Sequence, residues 1–356
     1  MTMERSTLAP ARDAANRLLS PLGRIGVKTW RSKRFRQSLP VLIAIAALAA
    51  LLLTASPDKV VRALERFDLI YLPVLLILSL TFYLLQGVRW WTLLHPAGIK
   101  ITWRRTVLFT VTGQATALLP LGELTRAILV SKATDTGLGR VVATESVQEL
   151  LFAGLLFAVA IPGALEFRPA LIFVCMAVVA IILILVILTV NPIFCQVHRV
   201  VAKTPVLKRM IQGIDELQAV ARDLLTHRYT YTWLWISAIQ ALMAVSLLWF
   251  AVEALAPGRL SWYRAALVYG VTQGASWVSL SPGGLGAFEL STAGFLLALG
   301  VPYSSATAGA IIFRLADKGF ATLLGMLCYF EVKRLYHWQG VNLFKLRESG
   351  GAVARL

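Results

Sequence analysis

Glu145 and Glu149 stand four residues apart, the spacing that puts two carboxylates on one face of a helix. Arg314, Asp317 and Lys318 follow the same rule at i, i+3 and i+4. Glu123, Arg126 and Glu289 flank two Pro-Gly breaks, one at Pro120-Leu121-Gly122 and one at Ser281-Pro282-Gly283-Gly284. All of these groups lie in or beside apolar runs, where charge is costly and marks substrate pathways, proton relays or ion pairs. Arginine at a helix break suits an anionic group, and carboxylates there suit proton exchange. Glu145, Glu149, Glu289 and Asp317 are therefore candidates for proton coupling, with Lys318 as an ion-pair partner. The alternative is that the same groups pair between helices, or Arg314 with Asp317 within one helix, and simply fix the packing.

The segment Ser281–Gly286 has four helix-breaking residues in six, which leaves backbone N–H groups free to face a ligand. A helix starting near Ala287 would aim its positive end at that pocket, a geometry suited to phosphate. The competing reading is a tight turn with no ligand. The candidate substrate-binding set is Glu123, Arg126, Ser281, Gly283, Gly284, Glu289 and Arg314.

Other chemistry finds little footing. The chain has no GxxxxGK[ST], HExxH or GxSxG motif, so ATP-driven pumping by this chain alone and soluble-type hydrolysis are not expected. His95, His198, His227 and His337 fall in flanks or loops, and Cys175, Cys195 and Cys328 lie far apart, so neither a metal nor another cofactor is expected. Cys175 and Cys328, within apolar stretches, read as buried small hydrophobes.

The elements that must carry these residues follow from composition. Hydrophobic residues make up 58% of the 356, charged residues only 15%, and mean hydropathy is +0.71, whereas soluble proteins carry about 25% charge. The apolar residues arrive in long blocks, Pro40–Ser56, Leu69–Gln86, Ala170–Val190, Tyr231–Val252 and Ala306–Phe330, each near the ~20 residues that span ~30 Å of hydrocarbon as a helix. Another span starts at Val141. The fold class is all-α: a polytopic helical membrane protein of about six full spans plus two broken, re-entrant helical hairpins in an inverted repeat, the alternative to a re-entrant hairpin being two complete but unusually short crossings of the same parity.

The net charge of +17 does not imply nucleic acid, because the basic residues sit in loops between spans. With the N-terminus inside, 27 of the 35 Lys/Arg fall inside, six outside, and Arg314 and Lys318 within a span. That asymmetry predicts a multi-pass protein of the bacterial cytoplasmic (inner) membrane with both termini cytoplasmic. Arg89, Trp90 and Trp91 at the end of the second span look like an interface anchor. The chain divides into a basic cytoplasmic segment (1–37), a transmembrane domain (38–335) and a cytoplasmic tail (336–356). Within the domain, units 69–190 and 231–331 flank a cytoplasmic, amphipathic linker, 191–230.

The two units resemble each other. Val111–Pro120 reads VTGQATALLP and Val271–Pro282 reads VTQGASWVSLSP. Each begins Val-Thr, carries Gly beside Gln, ends at Pro, and is followed by glycines and a glutamate. Because the span before the first unit runs out-to-in and that before the second in-to-out, the repeat would be inverted. That is the plan that places transporter sites at the repeat interface. One arrangement has the Arg314–Asp317–Lys318 face meeting the carboxylates of the other unit across a polar cavity.

At Pro120-Leu-Gly-Glu123 with Arg126, and at Ser281-Pro-Gly-Gly-Leu-Gly-Ala-Phe-Glu289 followed by Gly300-Val301 and Arg314, the sequence resembles the lysylphosphatidylglycerol synthase transmembrane-region family. The resemblance covers roughly residues 40–335. The extra Leu121 in the first element, and the Asp317-Lys318 pair after Arg314, are departures at the site. The resemblance implies a flippase-like domain that moves phospholipid-like molecules between leaflets. Fused members carry a soluble aminoacyl-transferase domain; this sequence runs only about 25 residues beyond its last span, so the translocating part alone is expected, without enzymatic activity. The expected partners are membrane lipids with an anionic head group and an envelope-lipid biosynthetic enzyme, and no nucleic acid. Two other readings stand beside translocation: a non-transporting partner of such an enzyme, and an intramembrane lipid-modifying enzyme.

Overall fold

The computed structural model describes residues 57–117, 122–202, 211–279 and 284–336. The expected first span at Pro40–Ser56, the basic segment 1–37 and the tail from 337 lie outside the described residues, as do Ser281 and Gly283. Every described element is helical, and no strand occurs among the described residues.

The first unit opens with the short helix α1 (Pro57–Glu65) and the span α2 (Tyr71–Leu94). The first hairpin follows: α3 (Trp103–Gly113) runs on into a tight turn at Gln114–Thr116. A second tight turn at Gly122–Leu124 leads into α4 (Thr125–Thr134). Asp135 closes α4 in the left-handed conformation, with φ of 51°. Two spans complete the unit, α5 (Leu138–Glu166) and α6 (Arg168–Thr189). The linker forms α7 (Asn191–Ala202), α8 (Ile211–Thr226) and the short α9 (Arg228–Thr232).

The second unit repeats the order. The span α10 (Leu234–Glu253) leads to α11 (Trp262–Val278), whose Ser261 hydroxyl caps its start by accepting from the Arg264 N–H. The return arm is α12 (Ala287–Ala298). α13 (Tyr303–Arg314) then widens into a π-turn at Leu315–Gly319 and continues as α14 (Phe320–Tyr336). Among the described residues, four helices, α2, α5, α6 and Arg228–Glu253, are long and apolar enough to cross a membrane by length and composition.

Packing relates the two units. α2 packs against α10, its counterpart. α3 packs against α14, while its counterpart α11 packs against α5. Within each unit the two hairpin arms pack together, the return arm packs on the following span, and that span packs on the first helix of the unit. Exchanging the units carries each of these contacts onto another. Small residues permit the close crossings: a Cβ on Gly163 of α5 would collide with the Tyr263 carbonyl, and one on Gly325 of α14 with the Ala115 backbone. Small residues at helix interfaces are how spans approach closely in lipid, where apolar surface alone gives no drive to associate.

Burial follows solvent. The largest core joins Leu75, Leu156, Leu248, Phe288 and Phe313 of five different helices. α6 is the reverse: Ile172, Phe173, Met176, Val179, Ile182 and Leu183 all face outward, as expected of a helix whose surroundings are lipid. Cys175 lies on that outer face rather than in the interior that the apolar pattern suggested. The linker helix α8 packs against α5 and α6 and buries Val220, Ala221, Leu224 and Leu225; its amphipathic stripe is thus spent on the bundle.

Candidate functional site

The first hairpin returns at Gly122, where an added Cβ would strike the Thr116 carbonyl. The Thr116 hydroxyl closes the same turn by donating to the Gly122 carbonyl at 3.0 Å. At the second hairpin an added Cβ on Gly284 would strike the Ser276 hydroxyl. Thr116 and Ser276 hold the same place in the two Val-Thr motifs, and Gly122 and Gly284 each lie two residues after the proline. Both hairpins therefore close by one device, a glycine laid against a hydroxyl-bearing residue of the outgoing arm.

Immediately beyond the first return, Arg126 is buried on α4 and meets both carboxylates of α5. Its Nε lies 2.7 Å from Glu145 Oε1 and its Nη2 2.9 Å from Glu149 Oε1. The four-residue spacing of the glutamates makes this fork possible. The guanidinium also sits 5.5 Å from the Trp90 ring centroid, and Trp90 is fixed by donating to the Thr144 hydroxyl at 3.0 Å. Gln86 of α2 donates weakly to Glu149 at 3.4 Å, while Gln148 donates to the Gln86 carbonyl at 3.2 Å. Gly113 leaves room for the Arg126 stem, since a Cβ there would come within 2.8 Å of the Arg126 Cβ.

The second unit builds the same pairing with the signs exchanged: here the acid sits on the hairpin and the arginine on the span. Glu289 lies in the first turn of α12 and reaches two partners. Its Oε2 accepts from the Gly286 N–H at 2.7 Å, and its Oε1 lies 3.0 Å from Arg314 Nε. Gly286 has φ of 81°, a backbone conformation that favours glycine. Arg314 again lies over an aromatic ring, 5.3 Å from the Phe288 centroid. Phe288 stacks on Phe313, and Tyr269 meets both rings edge-on.

Asp317 does not pair with Arg314. It lies in the π-turn and accepts from the Tyr83 hydroxyl of α2 at 2.6 Å, while Lys318 Nζ sits 5.6 Å from the Tyr83 ring centroid. The expected meeting of the Arg314 face with the other unit's carboxylates is thus corrected: each arginine pairs with glutamate of its own unit, and Asp317 makes the contact across units. The reason is reach, because each hairpin returns beside the span that follows it in sequence. Beside Asp317 is a hollow lined by Leu78, Phe82, Met243, Leu247, Tyr269 and Phe313, with room for about one water molecule.

The structure brings together Arg126 with Glu145 and Glu149, and Glu289 with Gly286 and Arg314, while Gly284 lies against Ser276. Ser281, Gly283 and the Glu123 side chain lie outside the described residues. The N-terminal turn of α12, expected to face a ligand, is capped by its own Glu289. Arg89 and Trp90 are corrected from interface anchors to interior residues, both fully buried. Arg89 donates to the Ser237 hydroxyl of α10 at 3.0 Å and to the Thr92 hydroxyl of its own helix at 3.1 Å, and these acceptors let it leave the interface. Tyr83, Gln86 and Tyr269 were missed. A stripe at Ser79, Tyr83, Gln86 and Trp90, spaced four, three and four residues, marks the polar face of α2 within an otherwise leucine-rich run.

A family model for the lysylphosphatidylglycerol synthase TM region matches residues 38–325, which include both hairpins, both arginines and all the carboxylates above. The chain belongs to this family. It is 23% identical over 318 residues to a UPF0104 membrane protein of Methanothermobacter thermautotrophicus, covering 81% of this chain and 92% of the relative. It is 20% identical over 329 residues to a UPF0104 membrane protein of Pyrococcus horikoshii, covering 84% and 98%. As a member of the lysylphosphatidylglycerol synthase TM-region family, the chain is a multi-pass membrane protein. The apolar spans, the outward-facing α6 and the small-residue crossings agree with that membership.

Proposed function

We propose that the protein is a lipid translocase with no ATP hydrolysis or other enzymatic activity of its own, moving an anionic phospholipid or related envelope lipid between the leaflets of the bacterial cytoplasmic membrane. The observation that carries this reading is the pair of buried arginine–glutamate contacts, Arg126 with Glu145 and Arg314 with Glu289, each at the return of a broken hairpin. Desolvating such charges costs several kcal/mol per ion, which pairing only partly repays, and stability alone does not favour keeping them. Each arginine is a guanidinium fork that fits a phosphate as well as a carboxylate, so a lipid head group can exchange with the glutamate while its acyl chains stay in the bilayer. The swapped packing of the units and the matching glycine closures support an inverted repeat whose hairpins enter from opposite faces, with both termini cytoplasmic.

The test is reconstitution into vesicles carrying head-group-labelled phosphatidylglycerol on one leaflet or, separately, labelled phosphatidylcholine. The proposal predicts that anionic lipid equilibrates faster than in protein-free vesicles and that zwitterionic lipid lags behind it. Folded protein that moves neither would favour a non-transporting partner of an envelope-lipid enzyme, and a chemically altered lipid would favour an intramembrane enzyme.

A further inference from the structure

Asp317 differs from the other buried acids. Glu145 and Glu289 each lie within 3.0 Å of an arginine nitrogen. Asp317 is buried too, yet it forms no ion pair among the described residues, and its hydrogen-bond partner is a neutral phenol, Tyr83, at 2.6 Å. The charged and titratable groups around it are few. Tyr83 faces it from α2 and Tyr269 from α11, and Arg314 and Lys318 share its own helix. Glu149 of α5 acts on the same Tyr269, whereas α10 contributes only Met243, Ala244 and Leu247 to the lining.

We propose that Asp317, held by Tyr83 in the π-turn, is the site where the protein binds and releases a proton, and that this event governs the contact between its two units. The chemistry of the pair supports it. Protonating Glu145 or Glu289 breaks an ion pair. Protonating Asp317 removes a lone buried charge, and a carboxylic acid and a phenol still hydrogen-bond. The proton adds to an Asp317 carboxylate oxygen while Tyr83 keeps its own hydroxyl proton, so the site gains one positive charge and nothing else changes covalently. The adjacent hollow has room for about one water molecule, which can carry the proton in. The helix is already widened at Leu315–Gly319, and such π-turns often sit at functional sites because a small shift returns them to the ordinary ladder. Once Asp317 is protonated its bond to Tyr83 is no longer charge-assisted, and the weaker tie lets α13, with Arg314 at its end, move against α2. The coupling of that motion to lipid rests on the translocase reading; the proton site does not.

The experiment is pH-dependent infrared spectroscopy of the full chain in lipid, following the C=O stretch of protonated carboxylic acids, beside the vesicle assay. A titrating acid band in the natural protein that disappears in Asp317→Asn and persists in Glu289→Gln is the expected result. Tyr83→Phe, which removes one hydrogen bond and almost no volume, should change the pH dependence of the band. A band that survives Asp317→Asn, a midpoint unmoved by Tyr83→Phe, or no titrating acid in the natural protein would overturn the proposal. If the band behaves as expected but no lipid moves, the translocase reading fails and the proton site stands. Lipid movement without the band leaves the translocase and removes the proton site.

Discussion

Arg314 Nε lies 3.0 Å from Glu289 Oε1, tying the second hairpin to the helix that follows it. The same glutamate also accepts from the Gly286 N–H, so one carboxylate closes the hairpin and neutralises the arginine. Losing it exposes a backbone donor and a buried cation together.

Glu289→Leu and Arg314→Met, made singly, should each lower stability by about 3–5 kcal/mol, the cost of leaving one buried charge unpaired. The double variant should recover most of that loss, because no charge remains, while lipid movement stays absent in all three. Thermal unfolding in detergent together with the vesicle assay separates packing from function. A double variant that is stable and still moves lipid would show that the pair is structural.

Arg126 holds two carboxylates with one fork. Lysine keeps the charge but offers a single point, not two parallel donors, so Arg126→Lys should slow lipid movement by about tenfold or more, a barrier increase of about 1.4 kcal/mol. Comparison of initial rates in vesicles at equal protein content checks this. An unchanged rate would mean that the fork geometry is not used.

The glycine closures should be equally intolerant. Gly122→Ala and Gly284→Ala place a methyl group against Thr116 and Ser276, and Gly284 also has φ of 69°. Each should cost about 1–3 kcal/mol, read as a fall in the unfolding temperature. Gly294→Ala, where no atom lies within 4 Å of the added Cβ, should be neutral or slightly stabilising.

Orientation is testable with cysteine labelling. In a background with Cys175, Cys195 and Cys328 replaced, Asp58→Cys should react with an impermeant maleimide added outside spheroplasts. Asp215→Cys should react only after the inner face is opened. The reverse pattern would invert the topology.

Much of this architecture is readable in the sequence because lipid imposes simple rules. Uninterrupted apolar blocks became α2, α6 and Arg228–Glu253, and the Pro-Gly breaks fell between hairpin arms. Arg126, Glu145, Glu149, Glu289 and Arg314 were identifiable because charge in an apolar run stands out. Their pairing was not, since it depends on which helices the hairpins fold beside. Arg89 and Trp90 resembled an interface anchor because arginine next to tryptophan has that composition at any span end. Only the neighbouring Ser237 and Thr144, on other helices, show that they turn inward. Tyr83 went unseen because a lone tyrosine in a leucine-rich helix has no sequence feature that separates a lipid-facing ring from one bound to Asp317. The amphipathic stripe of α8 was legible as a pattern, but not as a surface for α5.

The decisive measurement is the rate of transbilayer movement of head-group-labelled phosphatidylglycerol in vesicles holding the natural protein, Arg126→Ala or Arg314→Ala, each checked for folded, inserted protein. Rapid movement with the natural protein and loss of it in both variants is the predicted result. Equal rates in all three, or no movement by folded natural protein, would contradict an arginine-gated lipid translocase.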